Sequence, residues 1–113
     1  MTKISTQNFR SLAVPDDVEK AFHEPLALVF KHSTICPVSS YAKDEVEDFV
    51  ASRPGCPTYL VDVIRERPLS RALAARTGVT HESPQALVLR AGLVVWHGSH
   101  DEVTADALRV AAG

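Results

Sequence analysis

The run Leu26-Ala27-Leu28-Val29-Phe30 constrains this chain more than any other segment. All five side chains are apolar, so an extended strand here would bury both faces and require a covering layer on each side. The flanking sequence supplies candidate covers. Upstream, Asp16 to His23 follows Pro15 and reads as a short helix with Val18, Ala21 and Phe22 on one side. Glu24-Pro25 ends it, because a residue before proline is pushed out of the α region. Downstream, His32-Ser33-Thr34-Ile35 reads as a polar turn, and Pro37 stands where a first helical residue would. Val38, Tyr41, Ala42, Val46, Phe49 and Val50 then recur at helical spacing until Arg53-Pro54-Gly55 stops the helix.

The remaining elements follow by the same signals. Thr58 to Val63 reads as a second strand, and Pro68 opens a helix with Leu69, Ala72 and Leu73 inward, closed at Thr77-Gly78. Gln85 to Arg90 and Leu93 to His97 are apolar strands joined by Ala91-Gly92, the short glycine link of an antiparallel hairpin. A last helix runs from Asp101 or Thr104 to Ala112 through Val103, Ala107, Leu108 and Ala111. The order is helix, β-α-β, helix, β-β, helix. Strands alternating with helices predict a parallel pair, and the hairpin adds an antiparallel one. This is the pattern of an α/β thioredoxin-like fold: a mixed four-stranded sheet flanked by helices on both faces. At 113 residues, the chain is expected to form a single domain over 1–113.

Charge and hydropathy remove several function classes. Twelve Lys and Arg against fourteen Asp and Glu leave a net charge of −2, without the basic footprint of a nucleic-acid or membrane-surface binder. The apolar runs fall far short of the roughly 20 residues that span a bilayer. Met1 to Gln7 lacks the apolar core of a signal peptide, so a cytoplasmic location is the expectation.

Two cysteines, Cys36 and Cys56, are too few for a typical secreted disulfide scaffold. Cys36 lies after the first strand and immediately before a proline that starts a helix. First-turn N–H groups without intrahelical partners and the helix macrodipole both favour a thiolate there, and the thiolate is the nucleophile of disulfide exchange. The run Cys36-Pro37-Val38-Ser39 puts a serine where Cys-x-x-Cys proteins carry the resolving thiol. Cys56 cannot replace it. A helix from about residue 37 to 52 advances about 22 Å at 1.5 Å per residue, whereas a disulfide needs Cα atoms within about 7 Å. The predicted chemistry is monothiol.

Ser83-Pro84 is the second landmark, at the same sheet end as Cys36 by element order. Proline before a strand is an ordinary edge device. A cis bond there would instead present the Ser83 main chain beside the cysteine, where an extended substrate could be aligned for attack. His23 reads as a surface residue, and His32, His81, His97 and His100 fall near strand ends. The spacing in His97-Gly98-Ser99-His100 does not meet a structural zinc pattern, so no metal is expected. Asp44, Glu45, Glu47 and Asp48 read as a solvated helix face.

Three segments together resemble the monothiol bacilliredoxins, thioredoxin-like proteins of the bacillithiol system. They are Lys31-His32-Ser33-Thr34-Ile35-Cys36-Pro37-Val38-Ser39, His81-Glu82-Ser83-Pro84-Gln85 and Val95-Trp96-His97-Gly98-Ser99-His100. The resemblance covers nearly the whole chain from Phe9 and implies removal of bacillithiol from S-bacillithiolated proteins. Bacillithiol would then be a co-substrate rather than a bound cofactor, and a second low-molecular-weight thiol would regenerate the protein. It implies Cys36 as nucleophile, with Thr34, Pro37, Ser39, Glu82, Ser83, Pro84 and Gln85 framing the thiol carrier. Two other classes stay open: an iron–sulfur carrier sharing a cluster between Cys36 of two subunits, as in monothiol glutaredoxins, and a thioredoxin-fold adaptor without catalysis.

Overall fold

Leu26–His32 forms the central strand of a mixed sheet in the computed structural model, which describes residues 9–11 and 15–113. Met1 to Gln7 and the side chain of Val18, on which expectations were placed above, lie outside the described residues. In chain order the elements are β1 (Phe9–Ser11), α1 (Pro15–His23), β2 (Leu26–His32), α2 (Pro37–Ser52), β3 (Thr58–Asp62), α3 (Arg67–Thr77), β4 (Gln85–Arg90), β5 (Leu93–Ser99) and α4 (Ala105–Ala112). A 3-10 turn, His100–Glu102, links β5 to α4. The strand order is β1-β3-β2-β4-β5, with β3 parallel to β1 and β2, and β4 antiparallel to β2 and β5.

The four expected strands are all present, in a sheet with both parallel and antiparallel neighbours. A fifth, β1, adds three residues at the edge, where Phe9 to Ser11 pair with Thr58 to Leu60. Three residues are too few to show a period, so only pairing with β3 reveals them.

Alternation along β2 explains the layers. Leu28 and Phe30 point into a core with Val46, Phe49 and Leu108, under α2 and α4. Ala27 and Val29 point the other way, into a core with Ala21, Leu69 and Leu73, under α1 and α3. β4 divides likewise, with Ala86 and Val88 in the first core and Leu87 and Leu89 in the second. Each apolar run therefore serves two cores at once.

β2 extends two residues past its apolar run, and both added residues are polar and buried, Lys31 at 0% exposure and His32 at 8%. They continue the alternation: Lys31 contacts α3 through the Ser70 carbonyl, and His32 contacts Ser39 of α2. The acidic face of α2 is less uniform than expected. Asp44 and Asp48 are exposed, but Glu45 is half-buried and accepts a hydrogen bond from the Ala105 N–H at 2.9 Å. The start of α4 recruits this carboxylate because first-turn N–H groups lack helical partners.

Candidate active site

Cys36 stands between the β2 turn and α2, in extended conformation at the helix N-cap, with Pro37 opening the helix. Its N–H donates to the Ser33 carbonyl at 3.3 Å, and its own carbonyl accepts from Ser39 N–H at 3.0 Å and Ser40 N–H at 3.3 Å. The side chain is half-buried and takes no capping hydrogen bond. The sequence suggested helix-terminal N–H groups bonded to sulfur. In the structure, the Ser39 and Ser40 N–H groups turn to the Cys36 carbonyl, while the macrodipole still places partial positive charge at this end.

Ser39, in the resolving position, is fully buried. Its hydroxyl oxygen accepts from Ser33 N–H at 2.9 Å and lies 2.8 Å from Nδ1 of His32. A neutral imidazole with its proton on Nε2 fits this arrangement, since the Ser39 O–H can then donate to Nδ1 while its oxygen accepts from Ser33. Burial lowers the His32 pKa, with the Lys43 charge acting the same way, so the neutral ring is the favoured form. The ring also stacks on Phe30, centroids 5.7 Å apart. Ser39 thus fastens the turn that carries Cys36 to the end of β2.

The Ser83–Pro84 bond is cis, as the reading of that landmark required. Gln85, the first residue of β4, pairs with Lys31 and Ser99, which puts the cis-proline loop and the Cys36 turn at one sheet end. Ser83 precedes the ladder and is half-buried, while Pro84 is buried and its carbonyl accepts from His100 N–H at 2.9 Å. Glu82 is exposed and approaches Nδ1 of His100 at 3.5 Å. The 3-10 turn thereby braces the loop from behind.

The other candidate residues separate. Thr34 and Pro37 are exposed beside Cys36. Gln85 is 1% exposed, and its side-chain N–H groups donate to the Thr80 carbonyl at 2.9 Å and to the Ser99 hydroxyl at 3.3 Å. It is an internal brace of the loop, away from the surface that a substrate would touch. His23 is exposed, as expected, with Nδ1 2.8 Å from the Glu19 carbonyl.

Cys56 is buried in the turn before β3, where Thr58 is register partner to Leu28 near the start of β2. Cys36 follows the other end of that strand, so the two thiols occupy opposite sheet ends. Burial pushes the Cys56 thiol pKa up. Among the described residues, no group of three or more His, Cys, Asp or Glu side chains could hold a metal ion. No helix among them is long and apolar enough to cross a membrane.

Beside the Cys36 turn opens a pocket of about 410 Å³ for which no motif or spacing prepares. Ser33, Ile35 and Ser83 form its near wall, and Arg67, Ser70 and Arg71 of α3 its far wall, with His81 between. Lys31 is held against it, its Nζ 3.5 Å from the Ser70 carbonyl and 3.3 Å from Nδ1 of His81. Desolvation lowers the Lys31 pKa to about 8. A lysine directly after a fully apolar strand was the available signal, because continued alternation must bury it or force it to reach out. The α3 residues gave none, since only tertiary packing brings them here.

Comparison with solved structures gives the fold independently. A chain described as a candidate oxidoreductase with a thioredoxin fold is 32% identical, with 96% of each chain covered and a TM-score of 0.89. Mitochondrial thioredoxin 3 of Saccharomyces cerevisiae superposes with a TM-score of 0.75 at 11% identity, covering 94% of each chain. A variant thioredoxin of Halobacterium salinarum gives 0.74 at 14% identity, over 96% of this chain and 91% of its own. Residues 8–108 match the family model described as Monothiol bacilliredoxin BrxC. With that match running over most of the sequence and the fold in agreement, the chain belongs to the monothiol bacilliredoxin family, whose chemistry is thiol redox exchange on a thioredoxin scaffold.

Proposed function

We propose that this protein removes bacillithiol from S-bacillithiolated proteins in the cytoplasm, with Cys36 as its nucleophile. The observation that carries the reading is the pairing of a half-buried Cys36 at the start of α2 with a Ser39 hydroxyl committed to His32 and Ser33. The Cys36 thiolate attacks the bacillithiol sulfur of the mixed disulfide. That sulfur–sulfur bond breaks, the client thiolate leaves and takes up a proton, and a Cys36–bacillithiol disulfide forms. A second low-molecular-weight thiol then attacks the bacillithiol sulfur, forms a new disulfide with it, and releases Cys36 as a thiolate. Ser39 takes no part in exchange, because its hydroxyl does not ionise near neutral pH.

Neighbouring residues have defined tasks in this scheme. Thr34 and Pro37 border the thiol, and Ser83 lies ahead of the β4 ladder with its main chain available to an extended substrate. Glu82 and Pro84 hold that loop in place through His100. Ile35, Val38 and Tyr41, close to the cysteine in sequence, are exposed apolar side chains, which suits a protein client.

The test is intact mass after mixing with a bacillithiolated model protein. The wild type should gain one bacillithiol mass while the client loses it, and Cys36→Ala should leave the client modified. An unmodified wild type beside an unchanged client would overturn the assignment.

A further inference from the structure

We infer that the pocket between the Cys36 turn and α3 is an anion subsite that seats the carboxylate-bearing arm of the small thiol exchanged at Cys36. The inference rests on Cys36 as the nucleophile toward small-thiol disulfides and adds where, and by what charge, the carrier is recognised.

Three independent features converge on this pocket. First, its lining is one-signed: Arg67 and Arg71 are exposed cations, and among the described residues no acidic one lines it. Two carboxylates of neighbouring segments are engaged elsewhere. Asp62 accepts from the Ile64 and Arg65 N–H groups, and Glu82 approaches His100. Second, the far wall holds an orphan. Ser70 is 3% exposed, and its hydroxyl oxygen has no hydrogen-bond partner. A buried hydroxyl left unpaired is costly, and an entering acceptor would satisfy it. Third, Lys31 is buried beside the pocket against Ser70 and His81 rather than against a carboxylate. With Nδ1 of His81 accepting from Lys31, the neutral ring carries its proton on Nε2 and offers a further donor.

Position gives the pocket its use. Ser33, Ile35 and Ser83 belong to the two loops that flank Cys36, so the near wall of the pocket is the edge of the thiol site. A disulfide whose sulfur lies at Cys36 can extend its other end between these loops and α3. Cys36 forms the new sulfur–sulfur bond to the half of the disulfide seated in the pocket, and the other half leaves as a thiolate. A carboxylate on the retained half then meets Arg67 and Arg71, with the Ser70 hydroxyl as donor. Two such charge-assisted contacts at a part-exposed site amount to about a tenfold preference.

The experiment measures second-order rates of Cys36 adduct formation with two symmetric disulfides, anionic dithiodipropionate and neutral hydroxyethyl disulfide. Arg67→Gln with Arg71→Gln should slow the anionic reagent about tenfold and leave the neutral one within about twofold. The pair Arg76→Gln and Arg109→Gln removes the same charge from outside the pocket and should leave both rates nearly unchanged. Arg71→Lys should retain most of the anionic rate. In 1 M salt, where the screening length falls to about 3 Å, the wild-type preference should shrink.

The subsite is refuted if the pocket variant keeps the anionic rate, if it slows both reagents alike, or if the distant pair slows the anionic reagent equally. Oxidised bacillithiol as a third reagent separates this result from the proposed function. Preference for dithiodipropionate without reaction toward oxidised bacillithiol would keep the subsite and sink the bacillithiol reading. The reverse would keep that reading and sink the subsite.

Discussion

Lys31 has no exposed surface, and among the described residues its hydrogen-bond partners are the Ser70 carbonyl and the His81 ring, with no carboxylate. Desolvation lowers its pKa from 10.5 to about 8, so the folded chain holds this proton less tightly than the unfolded chain. The sign follows directly. Below about pH 8 both states are protonated, and the buried charge costs stability in full. Between about 8 and 10.5 the unfolded state binds more protons, so stability attributable to Lys31 rises with pH. Between pH 7 and 9.5 that rise should be on the order of 1–2 kcal/mol relative to Lys31→Met, measured by urea unfolding of both proteins. Parallel responses to pH in the two proteins would remove Lys31 as a titrating group in that range.

At the scale of elements, the β4–β5 hairpin shows how turn chemistry fixes a sheet. Ala91 and Gly92 have φ of 52° and 82°, the double positive values that a two-residue hairpin link requires. A Cβ on Gly92 would also lie 2.8 Å from the Phe22 carbonyl oxygen of α1. Gly92→Ala should therefore destabilise the protein by about 1–2 kcal/mol in urea unfolding, whereas Gly55→Ala should stay within about 0.5 kcal/mol. Gly55 meets nothing within 4 Å and does not have a left-handed backbone. Equal effects at the two sites would contradict this account of the turn. The same signals made most of the fold legible in sequence. Glycine marked the hairpin, proline marked the starts of α2 and α3, and unbroken apolar runs marked strands buried on both faces. β1 was not legible because its three residues are defined by their partner. Cys36, Ser39 and the cis-proline could be placed from chain order alone. The internal role of Gln85 and the arginine wall of the pocket could not, because each depends on which residues a distant element brings opposite.

Across the whole molecule, the sheet separates two thiols into two environments. Cys36 is half-buried at the end that carries the cis-proline loop, and Cys56 is buried at the other end beyond the length of α2. The sixteen residues of α2, a helix about 22 Å long, stand between them in the chain, several times the reach of a disulfide. Cys56 also lies among Leu28, Phe49 and Val50, and burial raises its pKa, which reduces the thiolate available for attack. Cys56→Ser should therefore preserve release of bacillithiol from a model protein to within about twofold, because exchange never passes through that sulfur. Cys36→Ser should abolish it. Oxidised wild type should carry one adduct per chain, located at Cys36 by peptide mapping, and Cys56 should alkylate at least about tenfold more slowly than Cys36. A Cys36–Cys56 peptide pair from oxidised monomer would require the sheet ends to meet. That single result would discard the monothiol mechanism together with the placement of α2 on which it depends.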